Sequence, residues 1–167
     1  MRMPIQAGDI FHRSASAINR ALFGLGLRRG LQVTARITYP IGRATIAIGG
    51  HFQDIALMGA KPVGAPSLCI EVKNIGLKEV TVTEVGLTGG EEGPQIPMID
   101  PLLHDNGDWP RRLMPGETVI THFGSALGAH PVLSKVSRAY ALTDEGDRRT
   151  GPAAALGLLL AEMASAA

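Results

Sequence analysis

The chain has 167 residues, with 16 Lys and Arg against 15 Asp and Glu, and 4% of its residues are aromatic. That length suits one domain with appendages, and the near-zero balance excludes a whole-surface electrostatic footprint for duplex nucleic acid. The single cysteine, Cys69, excludes an internal disulfide, and no apolar run is long enough to span a bilayer.

Glycine (21) and proline (11) are frequent, which suits short strands and many turns rather than a helical bundle. Residues 1–30 differ from the rest: Arg2, Arg13, Arg20, Arg28 and Arg29 stand against one acid, Asp9. Phe11, Ala15, Ile18, Leu22 and Leu25 recur at steps of four and three, the stripe of an amphipathic helix. Asp9 suits its N-cap, and Gly24, Gly26 and Gly30 suit its end. Three uses fit such a segment: packing on its own domain, docking on a neighbouring subunit, or lying on a membrane surface. No uninterrupted hydrophobic leader precedes it, because Arg20 divides the best candidate.

Leu31 to Tyr39 then alternates, with Leu31, Val33, Ala35, Ile37 and Tyr39 on one face. Pro40 and Gly42 end the run and Arg43 to Ile48 resumes it, which predicts a hairpin across residues 40–42. Gly49-Gly50 and the Lys61-to-Pro66 stretch bracket an irregular connection, in which Ile55 to Met58 form a helical turn or a short edge strand.

Ser67 to Leu87 is the most strongly patterned stretch. Leu68, Ile70 and Val72 share one face, and Cys69 lies on the other, so a packed or half-buried thiol is expected. Asn74-Ile75-Gly76-Leu77-Lys78 reads as a hairpin loop. Beyond it Val80 and Val82 share a face; the phase then slips at Thr83-Glu84, and Val85 and Leu87 fall back into step. A one-residue slip of that kind predicts a β-bulge. Further on, Ile96 to Ile99 reads as a short strand interrupted by Pro97, and Leu102 to Arg112 as a loop. Leu113 to Glu117 is a turn entering a strand at Thr118–Phe123. Ser134 to Leu142 reads as the next strand, Asp144 to Asp147 as a turn, and Arg148 to Thr150 as a short return. Pro152 suits the first position of a last helix over Ala153 to Ala164, with Leu156, Leu159, Leu160 and Met163 on its apolar side.

The runs LCIEVKNIGLKEVTVTEVGL, PRRLMPGETV and VSRAYALTDEGDRRTG together resemble a group of short bacterial and phage-encoded immunoglobulin-like β-sandwich proteins. The shared elements are Asn74 and Gly76, Val85 to Leu87, Leu113 to Glu117, and Asp144 to Gly146, over roughly residues 67–150. The resemblance implies an antiparallel immunoglobulin-like sandwich and brings no catalytic residues with it. The expected fold is mainly β, with helical or extended flanks: an arm at 1–30, the sandwich at 31–151 and a helical tail at 152–167.

Few residues of the chain fall into patterns that carry chemistry. His104-Asp105-Asn106-Gly107-Asp108 lacks the alternating acids and distal Glu of a calcium loop and reads as an Asn-Gly turn among solvated acids. His12, His51, His104, His122 and His130 show no zinc-hydrolase spacing. His51 with Asp54 has no nucleophile, and Gly124 to Gly128 is one residue out of step with a nucleophile elbow. The expectation is therefore a non-enzymatic structural or interaction module of a larger assembly, of the phage-virion or bacterial-complex kind. It needs no cofactor, no metal and no nucleic acid, and sits in the cytoplasm or, as the alternative, in a virion. It would associate with protein partners or with itself through Phe11, Ile18, Leu22, Leu25, Leu156, Leu159 and Met163. The alternative is a monomeric binding module whose loops, above all 89–112, hold a small ligand or glycan.

Overall fold

The computed structural model describes residues 30–41, 44–48, 66–124, 127 and 130–165. The helix expected near the N-terminus, the turn at Ile55 to Met58, the His51–Asp54 pair and most of the Gly124-to-Gly128 run lie outside these residues. In chain order the strands are β1 (Leu31–Ile41), β2 (Ala44–Ile48), β3 (Ser67–Asn74), β4 (Val80–Thr88) and β5 (Gln95–Pro97). Then follow β6 (Leu102–Leu103), β7 (Arg111–Leu113), β8 (Thr118–His122), β9 (Arg138–Thr143) and β10 (Arg148–Pro152). A 3-10 turn at Leu133–Lys135 precedes β9, and one helix, α1 (Ala154–Ser165), ends the described chain.

The strands build two antiparallel sheets, β2-β1-β3-β8-β6 and β10-β9-β4-β5, with β7 also pairing to β4. Alternation put Val33, Ala35, Ile37 and Tyr39 on one face of β1 and Leu68, Ile70 and Val72 on one face of β3. The register opposes Val33 to Val72, Ala35 to Ile70 and Ile37 to Leu68, so these faces merge into one apolar layer. Val82, Val85 and Leu87 of β4 join the same core, and all six side chains expected inside from β3 and β4 are fully buried. The β1–β2 hairpin is present, with Ile41 opposite Ala44. The slip at Thr83-Glu84 is present too: β4 shifts register against β9 between Val82 and Glu84.

Several expectations need correction. β3 and β4 do not form a hairpin; they lie in different sheets, and the five residues between them arch from one to the other. The core extends upstream of the 67–150 stretch that carries the resemblance, because β1 is an interior strand between β2 and β3. The stretch expected as a strand from Ser134 begins instead with the 3-10 turn, and pairing starts only at Arg138. Pro152 ends β10 opposite Arg138 rather than opening the helix. The loop expected at 102–112 contributes β6 and β7 at its two ends.

The helix belongs to the sandwich. It packs on β1 and β3, with Ala155, Leu156 and Leu159 in the common core. β10 also presses on β1 from the other sheet. A Cβ on Gly151 would stand 1.6 Å from the Val33 carbonyl oxygen, so only glycine lets the backbones approach this far.

Candidate functional site

The β3–β4 arch is organised by Asn74, which is 1% exposed and hydrogen-bonded through every polar group. Its main-chain N–H donates to the Glu117 carbonyl (2.8 Å), and its own carbonyl accepts from Gly116 N–H (2.8 Å). Its side-chain amide donates to the carbonyls of Lys78 (2.8 Å) and Leu113 (3.0 Å), while Oδ1 accepts from Gly76 N–H (2.9 Å). A buried amide satisfied in this way is stabilising, whereas an orphaned one is costly. One side chain thus ties the β3–β4 arch to the β7–β8 turn. In that turn Gly116 takes a φ of 86°, and the Glu117 carboxylate accepts from Met114 N–H (2.8 Å).

Gly30 closes the arch from outside. Its carbonyl accepts from the N–H groups of Ile75 and Gly76, and a Cβ on Gly30 would fall 2.1 Å from Gly76 Cα. Gly30 therefore lies directly on top of the arch. Around that point Ile75, Leu77 and Met114 are exposed, Leu77 to 83%. Apolar side chains normally occupy turns singly. Here three come from two turns bonded to one buried residue, so they share one end of the molecule.

The residues expected to meet a partner are distributed differently. Phe11, Ile18, Leu22 and Leu25 lie outside the described residues, as does the Met163 side chain. Leu156 and Leu159, expected to face a partner, are each 2% exposed and packed in the chain's own core. Ile75, Leu77 and Met114 were missed by sequence reading. The signal available was their placement inside Asn-Ile-Gly-Leu-Lys and Leu-Met-Pro-Gly, turns otherwise made of small and polar residues.

Polar clusters elsewhere are accounted for locally. Asp105 Oδ2 pairs with Arg111 (2.7 Å), and Oδ1 accepts from Gly107 N–H (3.0 Å), an Asx turn with Asn106 at a φ of 53°. Arg36 and Glu71 form a diagonal pair on the outer face of β1 and β3 at 2.9 Å. Tyr140 donates its hydroxyl proton to Glu84 and lies under the Arg148 guanidinium, 4.0 Å from ring centre to charge. Burial and then the Glu84 hydrogen bond push the Tyr140 hydroxyl far above its ordinary range. Burial, and secondarily the Glu71 carboxylate, push the Cys69 thiol up to about 11; it is fully buried and inert.

His104 and His122 meet across β6 and β8, with Nδ1 of the first 3.3 Å from Nε2 of the second. Burial, then the neighbouring His104, hold His122 below the usual histidine range. Eighteen residues separate the two in sequence, so no local spacing reveals them. Among the described residues no helix is long and apolar enough to cross a membrane. No protein-family model, no curated protein and no solved structure matches this chain.

Proposed function

We propose that this protein is a non-enzymatic interaction module that joins copies of itself into a larger assembly. Contact is made through the sandwich end formed by the β3–β4 arch and the β7–β8 turn, together with the N-terminal segment. The observation carrying this reading is that Ile75, Leu77 and Met114 are exposed at the point where residues 1–29, with their apolar stripe of Phe11, Ile18, Leu22 and Leu25, enter the fold. Apolar surface left uncovered at a chain junction is stabilised by burial against another surface. Strand order supports an immunoglobulin-like sandwich of the kind expected from the resemblance. The order β1-β3-β8-β6 corresponds to strands A-B-E-D, and β10-β9-β4 corresponds to G-F-C, with the arch as the sheet-crossing B–C connection.

Light scattering on the full chain tests the proposal. The expected mass at high concentration exceeds that of one chain. The double variant Leu77→Asp, Met114→Asp should return it to one chain without lowering the melting temperature, since both side chains are solvent-exposed. A full chain that stays monomeric at every concentration overturns the reading.

A further inference from the structure

We propose that His104 and His122 form a chelating site for a divalent transition-metal ion of the zinc and copper class, with water in the remaining positions. The two imidazoles come from the edge of the first sheet. Leu102 lies opposite His122 in the β6–β8 register, and His104 N–H donates to the Ile120 carbonyl at 2.9 Å. His104 therefore continues β6 alongside β8 and stands diagonal to His122 on the same face, within reach of a long side chain.

The distance between the two nitrogens carries the argument. At 3.3 Å the two nitrogens share a hydrogen bond at the long end of the range. A tetrahedral ion with Zn–N bonds of about 2.0–2.1 Å needs its two nitrogens about 3.3–3.4 Å apart. The ring planes are tilted by 37° with centroids 5.5 Å apart, so the rings meet tip to tip rather than stacking. Imidazole nitrogens are donors suited to zinc, copper and nickel rather than to calcium or magnesium. On binding, the ion replaces the proton now lying between the rings, and that proton moves to the far nitrogen of its own ring. Asp105 is not a third ligand, because Arg111 and Gly107 already hold both of its oxygens. Among the described residues no group of three or more His, Cys, Asp or Glu converges. Two protein ligands and solvent therefore make up the site, beside a small recess lined by His104, Asp105 and Thr118.

Calorimetric titration of the full chain with zinc chloride tests this site. Saturable binding of one ion is expected, weakened by roughly tenfold or more in His104→Ala and again in His122→Ala alone. The double variant should bind no more weakly than the weaker single one, because one remaining imidazole no longer chelates. A second measurement needs no variant: imidazole nitrogen resonances of the wild-type chain should shift on zinc addition at Nδ1 of His104 and Nε2 of His122. Binding that survives both substitutions unchanged, or zinc that moves neither resonance, overturns the proposal.

Discussion

Asn74 does more for this fold than any other polar residue described, because five hydrogen bonds converge on it from the β3–β4 arch and from residues 113–117. Replacing it with alanine removes the side-chain partners of Lys78, Leu113 and Gly76 while leaving the backbone where it is. Each buried group left unpaired costs about 1–3 kcal/mol, so Asn74→Ala should destabilise the protein by about 3 kcal/mol. Urea titration would read this as a lower midpoint at unchanged slope. Cys69 gives a second expectation at the same scale. Its thiol rises from about 9 to about 11 on folding, chiefly through burial. A pKa raised on folding leaves stability intact below the unfolded value and erodes it as pH rises through the folded one. At pH 8 the native thiol is thus protonated as well as buried. Iodoacetamide should label it only after denaturant is added, and labelling of the native chain at the denatured rate would refute the placement.

At the scale of elements, the bulge in β4 is the feature with the sharpest consequence. Val82 pairs with Thr143 and Glu84 with Leu142, so one extra residue, Thr83, is absorbed between them. Its hydroxyl donates to the Leu142 carbonyl at 3.2 Å, which anchors the bulge to β9. Deleting Thr83 would make Val82 opposite Thr143 and Glu84 opposite Leu142 consecutive pairs, so Val82, Val85 and Leu87 would alternate regularly and all stay on the inner face. What is lost is the Thr83 hydrogen bond and the local bend of the bulge, about 1 kcal/mol. The deletion variant should therefore keep a cooperative thermal transition by circular dichroism, close to that of the wild type. Loss of that transition would mean that the bend itself is needed to shape the strand.

The whole molecule is held together by strands distant in sequence. β1 contributes hydrogen bonds to β2 and β3 and touches β10 across the sandwich at Gly151, while α1 packs on β1 and β3. A fragment of residues 67–151 loses all of these contacts and exposes the inner edge of β3 as unpaired backbone, which favours aggregation. That fragment should be insoluble or unfolded, whereas residues 30–167 should melt cooperatively. If residues 1–29 serve association, the shorter protein should also scatter light as a single chain. A folded 67–151 fragment would show that β1 and α1 are accessories.

Most of the local structure was legible because burial writes a period into the chain. Leu68, Ile70 and Val72 alternate, Val85 and Leu87 fall out of phase with Val82, and the strands, their inner faces and the bulge all follow. Asn74 and Gly76 likewise announced a turn. What alternation does not encode is the partner of each strand. The inward face of β3 reads the same whether the next strand lies beside it or opposite it, so hairpin and arch share one pattern. The choice is made by groups far along the chain: the carbonyls of Leu113 and Glu117 that engage Asn74, and the Gly30 carbonyl that caps Ile75 and Gly76. The same holds for function. Leu156 and Leu159 form an apolar stripe whose destination, the chain's own core, depends on where β1 and β3 bring their surfaces. His104 and His122 become neighbours only because β6 pairs with β8. Side-chain periodicity is a property of a segment, while sheet pairing and site assembly are contacts between segments, and those are decided only when the chain closes on itself.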